Sequence, residues 1–130
     1  MPKEYVLVVE DDNQHQREWM ERLAVRYPRQ GEVNITICSN AIEAWAVVHQ
    51  MHSALKVWPR WIAVDHDLQW GNGFELINNL KALGYPNKFI AASGIEGNNM
   101  RMFAAGAEFI CQGKALDGNL TTVLNTIEKM

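Results

Sequence analysis

Residues 61–76 read WIAVDHDLQWGNGFEL. A short apolar run, residues 61–64, ends abruptly at Asp65; a polar, glycine-bearing loop follows, and a helical pattern begins at Gly73. Buried parallel strands of α/β proteins end in this way, at the edge of the sheet where these folds bind ligands. The pattern therefore predicts that Asp65 lies at the carboxyl edge of a parallel sheet.

A second acidic group follows another apolar run. Residues 5–9 are continuously apolar, which is typical of a strand covered on both faces, and Glu10, Asp11 and Asp12 come next. If the two strands are neighbours, Glu10, Asp11 and Asp65 converge on one point. Carboxylates that share a pocket repel one another unless a cation lies between them, and oxygen ligands favour a hard divalent ion. The pattern predicts a Mg²⁺ site, with Asp12 or its neighbour capping the next helix.

Strand and helix patterns alternate five times along the chain. The strands are expected at residues 5–9, 33–38, 61–64, 89–92 and 108–111, and the helices at 13–27, 41–52, 73–83, 98–105 and from 120 onward. Short loops and right-handed crossovers give a parallel sheet with helices on both faces. The second strand alternates polar and apolar residues, which suits a sheet edge. We therefore predict a flavodoxin-like (βα)5 doubly wound fold with strand order 2-1-3-4-5, in which the first and third strands are neighbours.

The second helix and the connection after it are less regular. Helical spacing predicts that Ile42, Trp45 and either Val48 or His49 face the core. Residues 53–60 are expected to be irregular because Pro59 prevents a strand there.

Composition and charge restrict the class of protein. A chain of 130 residues with 48% hydrophobic and 21% charged residues suits one domain over residues 1–130. A net charge of −3 argues against nucleic-acid partners, which need a basic face, and no apolar run approaches the ~20 residues that span a bilayer. Cys38 and Cys111 have no metal-ligand spacing and are expected on opposite sheet edges, as reduced thiols of a cytoplasmic protein.

Four features, in order, resemble the receiver domains of two-component response regulators, the CheY-like family, over essentially the whole chain. They are Val8-Val9-Glu10-Asp11-Asp12, Asp65, Asp67-Leu68 followed by Gly73-Phe74-Glu75-Leu76, and Ser93-Gly94. Each feature alone is a weak signal, but four of them in order at family-like separations are specific.

The resemblance implies a function for each site residue. Asp65 would accept a phosphoryl group from a histidine kinase or phosphotransfer protein and form an acyl phosphate. Glu10 and Asp11 would hold Mg²⁺ together with Asp65. The backbone carbonyl of Asp67 would add a further metal ligand, and the Ser93 hydroxyl would contact the phosphoryl group. The chain would transfer the group to itself and lose it slowly, rather than act as a classical enzyme.

The same resemblance implies where a downstream protein binds. Movement at Ser93 would change the face built by the fourth helix, the fifth strand and the fifth helix. Met100, Met102 and Phe103 are candidates for that face.

The sequence departs from the family pattern at three points. Gln69 stands where the family usually has proline. The fifth-strand lysine is expected at position 113, which is Gly113 here, and Lys114 follows one residue later. Phe109 lies one residue earlier than the family's fifth-strand aromatic. Lys114 would contact the phosphoryl group only if the last strand is shifted or bulged.

Two alternatives remain open from the sequence. Asp65-His66-Asp67-Leu68, with Ser93 and Asn98-Asn99-Met100, is similar to a receiver-like family proposed to process cyclic-phosphate ends of nucleic acids. There the acids and the histidine would be hydrolytic, although His66 is expected to face solvent at the edge of the sheet. The other alternative is a pseudo-receiver, which binds proteins without being phosphorylated.

Overall fold

A five-stranded parallel sheet forms the centre of the molecule. The computed structural model describes residues 4–29, 31–68, 71–93, 95–111 and 119–129. The strands are β1 Glu4–Val9, β2 Val33–Cys38, β3 Trp61–Val64, β4 Asp67–Leu68, β5 Gly71–Asn72, β6 Lys88–Ala91 and β7 Phe109–Ile110. The main sheet has the order β2-β1-β3-β6-β7 and its strands pair in parallel. In terms of the five expected strands this is the order 2-1-3-4-5, so the flavodoxin-like prediction is confirmed.

Within the described ranges, five α-helices cover the two faces of the sheet. They are α1 Asn13–Arg26, α2 Ala41–Gln50, α3 Gly73–Leu83, α4 Glu96–Ala105 and α5 Asn119–Glu128. The alternate residues of β1 show how the faces divide. Val6 and Val8 belong to the core with α1 and α5, whereas Leu7 and Val9 belong to the core with α2, α3 and α4. Among the helices of the described ranges, none combines the length and the apolarity that a membrane span requires.

Polar side chains begin three of these helices in the expected manner. Asp12 accepts a hydrogen bond from the backbone N–H of His15, and Asn40 accepts one from the N–H of Glu43. Each bond satisfies an N–H that the first helical turn leaves without a partner. Asn72 does the same at the start of α3. The predicted cap at the start of α1 is confirmed.

The prediction for the buried face of α2 is wrong in part. Ala44 and Val48 are buried, whereas Ile42 is 64% exposed and Trp45 is also exposed. The small Ala44 side chain lets the helix approach the sheet, and Trp45 instead stacks on His49 with ring centroids 5.0 Å apart. Spacing alone favoured the larger apolar residues as the inner face.

The chain after α2 is also more regular than expected. Met51–Leu55 continues the helix as a π-helical segment. It ends at Lys56, which has a left-handed backbone conformation with φ of 58°. His52 lies on the face of Trp58, with ring centroids 4.0 Å apart. The stacking joins this segment to the connection that leads into β3.

A hydrogen-bonded cluster fastens the end of α5 to α1 at the amino edge of the sheet. Arg26 donates to Glu128 Oε2 and to Asn125 Oδ1, at 2.6 Å in each case, and Tyr27 donates its hydroxyl to Glu128 Oε1. Arg60 donates to the backbone carbonyl of Glu128 at 3.4 Å. Glu128 therefore joins groups that are distant in the sequence.

Burial and these contacts shift the ionisation of the cluster. Burial raises the pKa of Tyr27 to about 12, and its hydrogen bond to Glu128 acts in the same direction. Burial alone would raise the pKa of Glu128, but the hydrogen bonds from Tyr27 and Arg26 outweigh burial and lower that pKa. The ionised Glu128 carboxylate is therefore more stable in the folded chain than in the unfolded chain.

We expect Glu128→Gln to lower the free energy of unfolding by about 1–3 kcal/mol at pH 7, because it removes hydrogen bonds to a charged, largely buried group. The lowered pKa means that this stabilisation is present above the unfolded pKa of Glu128. It is lost as pH falls through the folded value, so the difference between the two proteins narrows in acid. Urea unfolding at pH 7 and at successively lower pH measures both effects.

The control is Glu108→Gln, which removes an ion pair of 2.8 Å with Lys88. The Glu108 side chain is 53% exposed, against 23% for Glu128, so its loss should cost no more than about 0.5 kcal/mol. Equal effects of the two substitutions would contradict a stabilising role for the cluster.

Candidate functional site

The two acidic segments lie at the carboxyl ends of adjacent strands. The backbone N–H of Glu10 donates to the carbonyl of Cys38 on one side of β1, at 2.9 Å. On the other side, the N–H of Asp65 donates to the carbonyl of Val9 at 3.0 Å. Both acids are therefore held by the last hydrogen bonds of the sheet, and the predicted neighbourhood of the first and third strands is confirmed.

Three carboxylates meet at this edge. Glu10, Asp11 and Asp65 each offer an oxygen atom, and these atoms lie within 4.8 Å of one another. Glu10 and Asp65 are buried and Asp11 is exposed. All three candidate metal ligands are carboxylate oxygen atoms, which suit a hard divalent cation better than a soft metal. The residues present thus fit the kind of metal that the sequence predicts.

Hydrogen bonds fix the position of Glu10. Its Oε2 atom accepts from the backbone N–H of Asp12 at 3.2 Å. The amide of Gln16 donates to the backbone carbonyl of Glu10 at 2.6 Å and to the Ser39 hydroxyl at 3.2 Å. Gln16 therefore ties the end of β1 to α1 and to the chain that follows β2. Sequence reasoning missed this residue, because a glutamine in a helix carries no signal of its partners.

Gly73 allows α3 to begin directly beside Asp65. Its backbone N–H donates to the carbonyl of His66 at 2.8 Å. A Cβ atom at Gly73 would lie 2.6 Å from the Met102 sulfur, 2.7 Å from the Asp65 carbonyl oxygen and 2.9 Å from His66 Cα. Two of these neighbours are backbone atoms, which cannot move aside as a side chain can. Only glycine fits where the helix approaches this closely.

The segment after Asp65 forms a small antiparallel hairpin rather than an irregular loop. Strands β4 and β5 pair Asp67 with Asn72 and Leu68 with Gly71. The Asp67 side chain is exposed, and its oxygen atoms lie 3.4 Å from Asn98 Nδ2 and 3.4 Å from His66 Nδ1. The Asp67 carboxylate is not part of the three-acid cluster. The role of the Asp67 backbone carbonyl as a metal ligand stays a prediction.

The expectation that His66 faces solvent is wrong. The residue is only 6% exposed, and its ring lies parallel to that of Phe74, with centroids 6.3 Å apart. Phe74, in the first turn of α3, lies beside the imidazole. In the part of the chain that the structure describes, His66 Nε2 has no hydrogen-bond partner. A buried ring is poorly placed for a hydrolytic role on a large substrate.

Ser93 lies at the same edge, after the strand next to Asp65. The N–H of Ala92 donates to the carbonyl of Val64 at 2.9 Å, so the chain is still paired with β3 immediately before Ser93. Ser93 is buried, and its hydroxyl oxygen accepts from the N–H of Ile95 at 3.1 Å. Asn99 binds the Ser93 backbone. The sequence indicated Asn99 only within Asn98-Asn99-Met100, as part of the resemblance to the hydrolase family.

The described residues do not include Gln69, Gly94, Gly113 or Lys114. The contact predicted between Lys114 and the phosphoryl group therefore stays a prediction. Of the residues expected on the surface of α4, Met100 and Phe103 are exposed, but Met102 is fully buried. Met102 faces the core because its sulfur lies against α3, beside Gly73.

The sequence matches no protein-family model, and no curated protein matches it. Solved structures do match, and several are receiver domains. One is the receiver domain of the histidine kinase CKI1 from Arabidopsis thaliana, complexed with Mg²⁺ and BeF3−. It has a TM-score of 0.76 and 21% identity, over 98% of this chain and 91% of that chain.

Two microbial structures show the same similarity. A CheY-like response regulator receiver domain from Methanospirillum hungatei gives a TM-score of 0.71 at 20% identity, over 98% of this chain and 96% of that chain. A CheY-like receiver domain from Methylobacillus flagellatus gives 0.74 at 18% identity, over 97% and 99%. The chain therefore has the fold of receiver domains over almost its whole length, as its sequence predicts.

We expect Gly73→Ala to destabilise the protein by about 1–3 kcal/mol, because the added methyl group forces a backbone shift at Asp65 and His66. The matched control is Gly97→Ala in α4, where a Cβ would meet nothing within 4 Å. Because alanine favours a helix, this control should be neutral or stabilising by up to about 1 kcal/mol. Urea unfolding of both variants makes the comparison, and similar free energies for both would contradict the close approach at Gly73.

Proposed function

We propose that the protein is the phosphoacceptor receiver of a two-component phosphorelay, with Asp65 as the residue that is phosphorylated and Mg²⁺ as the cofactor. The observation that carries the proposal is the meeting of Glu10, Asp11 and Asp65 at the carboxyl edge of a receiver fold. The phosphoryl donor would be a histidine kinase or a phosphotransfer protein.

The chemistry follows from the position of Asp65. One carboxylate oxygen attacks the phosphorus atom of a phosphohistidine, and a P–O bond forms as the P–N bond breaks. The electron pair of the broken bond stays on the imidazole of the donor, and Asp65 becomes an acyl phosphate. Bound Mg²⁺ supplies positive charge that offsets repulsion between the phosphoryl oxygens and the acidic pocket. Glu10 and Asp11 would hold the cation together with Asp65.

Ser93 supplies a hydrogen bond to the product. Its oxygen accepts from the N–H of Ile95, which leaves the hydroxyl hydrogen able to point elsewhere. In the proposal the hydroxyl donates to a phosphoryl oxygen during the transfer as well as after it. The burial of Ser93 strengthens such a bond because water competes for it less.

The output of the domain would be a change in a protein-binding face. We assign that face to α4, β7 and α5, and the exposed Met100 and Phe103 of α4 are the side chains we expect a downstream protein to cover.

Cys38 and Cys111 are buried on opposite edges of the sheet and are not bonded to each other. Reduced thiols suit a reducing compartment, and we propose that the protein acts in the cytoplasm.

We expect Mg²⁺ to stabilise the protein against heat, by about 1.4 kcal/mol at a concentration ten times its Kd. Asp11→Asn should abolish most of this effect. It should also raise the melting temperature when no divalent cation is present, because one of three repelling charges is removed. Thermal unfolding with and without Mg²⁺ measures both changes.

The control for this substitution is Asp12→Asn, which removes the same charge from the next residue. Asn caps helices about as well as Asp, so α1 should keep its cap and the protein should keep its response to Mg²⁺. A full response in Asp11→Asn would contradict the assignment of Asp11 to the metal site.

We expect incubation with Mg²⁺ and acetyl phosphate to add one phosphoryl group, which intact-mass spectrometry detects. Asp65→Asn should abolish the added mass because it removes the nucleophile, and omission of Mg²⁺ should reduce it strongly. Asp12→Asn again serves as the control and should be phosphorylated like the unmodified chain. Binding of Mg²⁺ without any added mass would contradict the phosphoacceptor role and would favour a pseudo-receiver.

A further inference from the structure

Asn99 holds the backbone of Ser93 with both ends of its side-chain amide. Asn99 Oδ1 accepts from the N–H of Ser93, and Asn99 Nδ2 donates to the carbonyl of Ser93, each at 2.8 Å. Asn99 is only 2% exposed and Ser93 is buried as well. Turning the amide over would place a donor against a donor and an acceptor against an acceptor, so its orientation is fixed by these partners.

The amide takes the place of a neighbouring strand at this point. The carbonyl of Ala91 accepts from the N–H of Cys111 at 2.8 Å, and the N–H of Ala92 bonds to Val64. Ser93 is the next residue, where the chain turns toward α4, and its polar backbone groups are buried. A buried backbone group left without a partner is destabilising, because its hydrogen bond to water is lost and not replaced. Asn99 therefore stabilises the particular path that the chain takes at Ser93.

The contact also connects Ser93 to α4. Asn99 lies near the start of that helix, which has no side-chain cap at Ile95. The N–H of Asn99 donates to the carbonyl of Ile95 at 3.2 Å, and the N–H of Ile95 donates to the Ser93 hydroxyl oxygen at 3.1 Å. Ser93, Ile95 and Asn99 thus form a closed set of hydrogen bonds. A displacement of Ser93 must either move the start of α4 or break these bonds.

We propose that Asn99 is a positioning residue, which orients the Ser93 hydroxyl toward the phosphoryl group and carries the displacement of Ser93 into α4. The inference rests on the proposed phosphoacceptor function. It deepens that function by assigning the link between the site and the output face to one buried amide. Met100 follows Asn99 directly and is exposed, so a shift of this turn alters the protein-binding face.

The test is a double-mutant cycle on the rate of Asp65 phosphorylation by acetyl phosphate with Mg²⁺. Asn99→Ala should lower the rate about tenfold or more, because a misplaced group loses its catalytic effect. If Asn99 acts through Ser93, the same substitution should change the rate less than twofold in a Ser93→Ala background. Additive effects of the two substitutions would overturn the proposal, since independent sites add.

Asn98→Ala is the matched control. Asn98 is the preceding residue of the same helical turn, but its amide lies near Asp67, at 3.4 Å, rather than near Ser93. We expect its rate to stay within twofold of the unmodified chain. A loss in Asn98→Ala equal to that in Asn99→Ala would mean that any change in this turn disturbs the site, and would overturn the specific role of Asn99.

A second measurement covers the case in which Asn99→Ala folds poorly. In Asn99→Asp, the carboxylate still accepts from the N–H of Ser93 but repels its carbonyl, so half of the contact survives. Phosphorylation of the unmodified chain should change hydrogen exchange at the start of α4, and Asn99→Asp should reduce that change. An unaltered exchange response would overturn the proposal. If the unmodified chain takes up no phosphoryl group, the proposed function fails and this inference fails with it. If the unmodified chain is phosphorylated but Asn99→Ala leaves the phosphorylation rate unchanged, only this inference fails.

Discussion

Repulsion between like charges at the edge of the sheet is the constraint on which the site depends. Glu10 and Asp65 are buried side by side because the hydrogen bonds of β1 to its two neighbours fix their backbones. The backbone of neither acid can move away without breaking hydrogen bonds at the end of a strand whose other residues form the core. The packing of the sheet thus offsets an electrostatic cost that the isolated side chains would avoid. The three acids, with oxygen atoms within 4.8 Å of one another, form a group that could hold a metal ion.

The supporting contacts around this edge come from different parts of the fold. Gln16 in α1 holds the end of β1, Gly73 lets α3 start against the end of β3, and Asn99 in α4 holds the chain after β6. Each of these three helices therefore contributes one residue that positions the end of a strand. The acids themselves are short and attached to rigid strands, so their relative positions depend mainly on the register of the sheet. Ser93 lies one residue beyond the last sheet hydrogen bond of its segment, so its position depends on Asn99 rather than on the sheet.

The features that the sequence predicted well are those set by local patterns. Continuous apolar runs indicated β1 and β3, and the acids that end these runs indicated the position of the site. The inner face of α2 was predicted only in part, because the burial of Ala44 in place of Ile42 depends on how closely a helix approaches the sheet. The burial of His66 likewise involves the close approach of α3, which begins beside His66 at Gly73. Pairings such as Asn99 with Ser93 depend on loop geometry, which residue spacing does not encode.

The two anchored ends of α5 have a mechanical consequence. At its first residue, Asn119 donates to the carbonyl of Ile110 at 2.8 Å, and at its last residue Glu128 is gripped by Arg26 and Tyr27. A helix such as α5, held by side-chain hydrogen bonds at both ends, resists tilting. The start of α4, in contrast, has no side-chain cap at Ile95. We therefore expect α4 to tilt more readily than α5. A protein that bound both helices would therefore respond mainly to changes in the angle of α4 relative to α5.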